Sequence, residues 1–210
     1  YLLRLGWSHG DQEVFSTKEM IGLFDLGEVN RAAAAFDLDK LKWLNQHYIK
    51  EADADRLGAL LAAGLEARGV EIASGPALRS VADALRERAQ TIDELIDKSL
   101  YFYSDFDEYD EGAAKKHLRP VAAGLMSDIR ERFEALSGWQ AQTIHDALQA
   151  CVEANDSKLG KIAQPLRVAV SGTAATPPID ITLELVGKER TLERIDSAIG
   201  FIAARAEQGA

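Results

Sequence analysis

The sequence predicts an all-α fold, and three observations carry that prediction. Apolar residues recur at steps of three and four from end to end, capping residues stand ahead of those runs, and the strict alternation of a half-buried strand hardly occurs. Helices this short, joined by brief connectors, pack as a bundle or cage.

The elements follow in order. Ser16 and Glu19 have capping-box spacing ahead of Met20, Leu23 and Phe24, which predicts a helix over about 16–25. Asp37 can cap a second helix, whose Leu38, Leu41, Leu44 and Tyr48 form one stripe of a 3.6-residue period that Trp43 widens. Asp53 or Asp55 starts a third, burying Leu57, Leu60, Leu61 and Leu65 and stopping at Gly69. After a connector at 70–75, Ser74 and Pro76 open a long helical pattern through Leu78, Val81, Leu85, Ile92, Leu95 and Ile96. The stretch 103–112 is acidic and aperiodic, marking a linker or exposed loop near a domain boundary. Helices at about 113–135, 139–154 and 159–171 come next. Thr176-Pro177-Pro178 then sets up a short one from Ile179 to Val186, and Thr191 caps the last through about Arg205. There is no internal repeat.

Composition narrows the function. The 210 residues are 47% hydrophobic and 28% charged, with five Pro and one Cys, which fits an ordered globular chain and excludes disordered, collagenous and disulfide-scaffold classes. The lone Cys151 fits a reducing compartment, and no apolar run is long enough to span a bilayer. The expectation is a cytoplasmic monomer away from membranes. The net charge of −10 argues against a nucleic-acid partner, but residues 151–210 carry only −1 of it. The C-terminal third is nearly neutral.

No convergent catalytic set appears. His9, His47, His117 and His145 are scattered without ligand spacing, and Leu159-Gly160-Lys161 and Gly187-Lys188 lack the earlier Gly of a phosphate loop. Cys151 lies on an apolar helical face and reads as a buried, inert thiol. What remains are polar residues at helix edges. Arg86 and Arg88 sit on the polar side of their helix, where a guanidinium can bond a base edge or stack on a base. Asp83 and Glu87 beside them allow the alternative of an ordinary solvated face. Arg167 and Thr176 carry the same ambiguity. A different class of function, a stand-alone helical protein-interaction module docking through Trp139, Ile144 and Leu148, also stays open.

A resemblance sharpens this. The opening Tyr1-Leu2-Leu3-Arg4-Leu5-Gly6-Trp7-Ser8-His9-Gly10, with Phe15-Ser16, resembles the segment that follows the K-M-S-K-S-type loop of bacterial glutamyl-tRNA synthetases. Residues 36–49 are similar to that family's stem-contact pattern F-[DN]-x-x-K-L-x-W-x-N-x-x-Y-I. Gln164-Pro165-Leu166-Arg167, Thr176-Pro177 and Gly187-Lys188-Glu189-Arg190 resemble its anticodon-binding tail. The resemblance implies a stem-contact helical domain at 1–62 and two anticodon-binding helical subdomains at 63–112 and 113–210. It implies a chain that recognises the tRNA for glutamate and catalyses nothing alone. Glutamate attachment, with its ATP and magnesium, is then housed in an N-terminal catalytic domain in cis, whose signature motifs do not occur here. By the same resemblance Arg88, with Arg86 as the alternative, faces the third anticodon base. Arg167, Thr176 and Ile179 surround the other anticodon bases, and Lys40 and Trp43 occupy stem-contact positions.

Overall fold

The computed structural model describes residues 1–30 and 35–208, and every regular element in them is helical. The α-helices are α1 (Thr17–Leu23), α2 (Leu38–Glu51), α3 (Ala54–Ala67), α4 (Leu78–Leu85), α5 (Ile92–Tyr103), α6 (Glu111–His117), α7 (Pro120–Ala135), α8 (Ala141–Ala154), α9 (Leu159–Ser171), α10 (Ile179–Val186) and α11 (Lys188–Gln208).

Local chemistry starts most of them. The Ser16 hydroxyl accepts from Glu19 N while the Glu19 carboxylate accepts from Ser16 N, a complete capping box. Asp37 accepts from Lys40 N, and Asp53 from the backbone of Asp55 and Arg56. Two long predicted helices are broken. The pattern from Pro76 stops at Leu85, turns through a 3-10 helix at Arg86–Arg88 and an extended, buried Ala89, then restarts under a Thr91 cap. The pattern from 113 begins earlier, at an Asp110 cap, and breaks at Leu118 and Arg119, with Pro120 in the first turn of the next helix. Thr191 is not a cap. It lies buried inside α11, which starts three residues earlier, directly after Gly187 with its positive φ of 87°.

The chain buries its apolar residues in separate clusters. Trp7 packs its ring on Phe15 and Phe24 at 5.6 and 6.0 Å in the N-terminal segment. A second cluster joins Ile49 with α3, α4 and α5, through Leu57, Leu61, Leu65, Val81, Leu85, Leu95 and Phe102. Small residues permit that close approach. A Cβ on Gly58 would stand 3.1 Å from Arg79 N, and one on Gly64 would overlap the Ile96 side chain. The third and largest cluster draws on α6 to α11, with Met126, Ile129, Phe133, Ile144, Leu148, Leu166 and Ile195 at its centre. Helix α10 spans the two, since Leu183 belongs to the third cluster and Val186 to the second.

The stripe predicted for α2 is not buried: Leu38, Trp43 and Tyr48 are exposed, and Ile49 is its only fully buried residue. Leu60 is likewise part-exposed on α3. Helix α2 is fastened instead by polar residues near its C-terminus, which reach the turn between α4 and α5.

Candidate nucleic-acid interface

Arg88 is presented by the break between α4 and α5. Leu85 and Ala89 are buried on either side of the 3-10 turn, which leaves Arg88 pointing out, exposed and without an ion-pair or hydrogen-bond partner among the described residues. The turn is held from two sides. From α5, Thr91 accepts from Glu94 N, and the Glu94 carboxylate accepts from Gln90 N at 3.0 Å, the bond that chiefly holds its pKa below the ordinary carboxylate value. From α2, Asn45 Nδ2 donates to the Gln90 carbonyl at 2.6 Å, Gln46 Nε2 to the Glu87 carbonyl at 3.4 Å, and Lys50 pairs with Glu87 at 2.8 Å. Arg86 belongs to the same clamp. Its guanidinium donates to the Ala52 carbonyl, pairs with Asp83 at 3.1 Å and is only part-exposed. That is an internal tie, whereas Arg88 is free to meet a ligand.

Arg167 stands on α9 and folds over the loop that follows. Its Nη1 donates to the Thr176 carbonyl at 3.0 Å, the Pro177 carbonyl at 2.5 Å and the Thr176 hydroxyl. Thr176 is 2% exposed and donates to the Pro177 carbonyl. The Thr182 hydroxyl also reaches the Pro177 and Pro178 carbonyls, so the loop is shaped from both α9 and α10. Nε and Nη2 of Arg167 take no acceptor from the described chain and keep some contact with solvent. Gly172 closes α9 in a left-handed conformation. A Cβ there would crowd the Phe106 ring at 3.3 Å, and the Gly172 carbonyl accepts from Asp110 N.

The two arginines, far apart in sequence, share one electrostatic neighbourhood. Burial lowers the Arg167 pKa from its ordinary value, and the Arg88 charge lowers it further. Tyr101 of α5 feels both: burial raises its hydroxyl pKa, against the pull of Arg167, Arg88 and Arg194. A guanidinium with spare donors and a second, wholly unpaired one form a positive surface suited to base edges or phosphates. The remaining predicted residues lie apart or play internal parts. Ile179 is buried at the start of α10, supporting the loop. Lys40 pairs with Glu13 at 2.8 Å, and Trp43 is 47% exposed on α2.

Sequence reasoning missed one contributor. Asn45 falls inside the helical pattern of residues 36–49, yet only the fold shows that its amide secures the Arg88 turn. The interaction-module reading loses its surface, because Ile144 and Leu148 are fully buried and Trp139 stacks edge-on with Phe133 at 5.3 Å while donating to the Leu183 carbonyl. Cys151 is buried, and burial together with the neighbouring Asp128 carboxylate raises its thiol to about 12. No three His, Cys, Asp or Glu among the described residues form a group that could hold a metal ion. No helix among them is long and apolar enough to cross a membrane.

The chain resembles known proteins along nearly its whole length. It is 47% identical over 205 residues to glutamate–tRNA ligase 1 of Nitrosococcus oceani, a match covering 98% of this chain and 44% of that protein. Its fold superposes with a TM-score of 0.84 on the crystal structure of a glutamate tRNA ligase from Elizabethkingia meningosepticum in complex with its amino acid, at 32% identity, covering 94% of this chain and 39% of that one. The glutamate-tRNA synthetase of Elizabethkingia anophelis gives a TM-score of 0.81 at 32% identity, over 93% and 38% of the two chains. The chain thus spans less than half the length of these relatives. Residues 36–199, which include Arg88, Arg167 and the loop between α9 and α10, match the anticodon binding domain, and the chain belongs to that family.

Proposed function

We propose that this chain is the tRNA-recognition part of a glutamate–tRNA ligase, reading the anticodon of the glutamate tRNA with Arg88 and Arg167. The carrying observation is the unpaired, exposed Arg88 on a turn clamped from both α2 and α5, within electrostatic reach of Arg167. The clamp fixes the backbone from which Arg88 projects, and the protein leaves that guanidinium's donors unspent. Such a group can bond base-edge acceptors directly, and its discrimination comes from the cost of leaving a donor or acceptor unpaired on the wrong base. Arg88 then faces the third anticodon base, C in the glutamate tRNA and G in the glutamine tRNA. Arg167 and the loop after α9 form the wall for the other bases, with the buried Thr176, Pro177 and Ile179 shaping that loop from behind. Lys40 and Trp43, on the exposed side of α2, face the stem.

The net acidity is compatible with this role, because only the strip facing RNA must be positive. In this reading the aminoacylation chemistry, with its ATP and magnesium, belongs to a catalytic domain outside these residues, in a cytoplasmic enzyme.

The test is binding of the chain to glutamate tRNA transcripts carrying C or G at the third anticodon position, measured by fluorescence anisotropy at fixed salt. The parent chain prefers C, and Arg88→Gln erodes that preference by about 1–3 kcal/mol, the range of a bidentate base contact. An equal C-to-G ratio for parent and variant would refute the assignment of Arg88.

A further inference from the structure

The chain carries a second positive site that the arginine pair does not use. Between the α6–α7 break and the start of α9 lies a cleft of about 580 Å³, lined by Lys116, His117, Arg119, Lys161 and Gln164 with Asp156 as its one carboxylate. Lys116, Arg119 and Lys161 are exposed, and none has an ion-pair or hydrogen-bond partner among the described residues. Many other cations are held by carboxylates, among them Arg4, Lys40, Lys50, Arg68, Arg79, Arg130, Arg132 and Arg194. Three unpaired cations against one carboxylate make the cleft locally positive on a chain of net charge −10. His117 responds to it: burial and the charges of Lys116 and Arg119 lower its pKa, so near neutral pH its ring offers a hydrogen bond without adding charge.

One edge of the cleft lies in line with Arg167 along α9. Gly160, Gln164 and Arg167 follow one another at helical steps of four and three, so they share a face of α9. From Lys161 to Arg167 the helix rises by about 9 Å, less than two turns, with the two side chains roughly 120° apart around its axis. We infer that this cleft holds the sugar–phosphate backbone of the same RNA whose bases reach Arg167 and Arg88, and so adds sequence-independent affinity beside the base-reading site. The inference rests on the RNA-binding reading above. Unpaired positive charge at the cleft, with Gln164 on its edge sharing the α9 face of Arg167, favours a polyanionic strand over an acidic protein segment.

The test separates the cleft from the base-reading site. The parent chain and the triple variant Lys116→Gln, Arg119→Gln, Lys161→Gln are titrated with fluorescein-labelled glutamate tRNA transcript and with the same transcript bearing a scrambled anticodon, between about 50 and 200 mM salt. Each phosphate that a cation neutralises adds about 0.7–0.9 to the slope of log affinity against log salt, so removing three cations makes that slope shallower by about 2 for both RNAs. The affinity ratio between the RNAs stays unchanged. An unchanged slope for both RNAs, or no binding of either RNA to the parent, overturns the cleft assignment. Parent binding that ignores the anticodon but loses slope in the variant overturns the anticodon reading and supports the cleft. Should the variant fold poorly, acetylation of the parent decides: RNA protects Lys116 and Lys161 if they line its path, and equal labelling with and without RNA overturns the assignment.

Discussion

Replacing Arg194 with Met should be among the most damaging single changes in this chain. Arg194 comes from α11 and is 7% exposed. Its guanidinium donates to the Tyr101 and Ser104 carbonyls at 2.9 Å each, to the Val170 carbonyl at 2.5 Å and to the Asp105 carboxylate at 2.9 Å, and it lies 4.9 Å from the centre of the Phe106 ring. The carbonyls belong to the C-terminal ends of α5 and α9, where the last acceptors of a helix lack intrahelical donors and favour a cation. One side chain therefore closes two helices and the linker between the second and third clusters. Arg190 repeats the arrangement at the Phe102 carbonyl. Methionine would fill much of the volume and leave three carbonyls to find water. At about 1–3 kcal/mol for each acceptor left buried, and with part of the set able to hydrate, the expected loss is about 3–5 kcal/mol. The exposed Asp105 adds little to that total. With a urea slope of about 2 kcal/mol/M, the midpoint should fall by about 2 M, followed in parallel by circular dichroism and tryptophan fluorescence. Arg194→Lys, which keeps the charge and part of the bonding, should recover a portion of it. A methionine variant within about 1 kcal/mol of the parent would refute the reasoning.

Two further outcomes follow from interactions outside that lock. Asn45→Ala removes the 2.6 Å bond to the Gln90 carbonyl, so global stability should change by about 1 kcal/mol or less, while the preference for C over G at the third anticodon position weakens with the loosened Arg88 turn; an unaltered preference would show that the turn needs no support from α2. Glu13, held down to about 2 by hydrogen bonds from Arg4 and Lys40, contributes its full stabilisation above the ordinary carboxylate value of 4.5 and loses it as pH falls through about 2. The pair is part-exposed, so Glu13→Gln should cost about 1 kcal/mol at pH 6 and almost nothing near pH 2; a parent-to-variant difference in urea stability that stays constant over that range would contradict the pairing.

What could be read directly was whatever depends on neighbours three or four residues away. The caps at Ser16, Asp37 and Asp53 stand in the structure as their spacing predicts, because each joins a side chain to the backbone two or three positions on. The break at 86–91 could not be seen that way. Its periodicity continues into the next helix, and what stops the first is a buried, extended Ala89 whose neighbours are tied to Asn45 and Ala52 on the far side of the turn. Periodicity likewise marked α2 as helical but could not show that Leu38, Trp43 and Tyr48 stay exposed, since burial depends on what packs opposite.

The same division runs through the candidate site. The sequence alone determined an all-α chain, its local helix starts, a nearly neutral C-terminal third and a short set of candidate arginines, all of which follow from composition and short-range spacing. Only the tertiary structure distinguished the surroundings of those arginines. It bound Arg86 to the Ala52 carbonyl and left Arg88 free, brought Arg88 within electrostatic reach of Arg167, and gathered Lys116, Arg119 and Lys161 around one cleft. A guanidinium's role is set by which acceptors surround it, and here those acceptors come from segments distant along the chain.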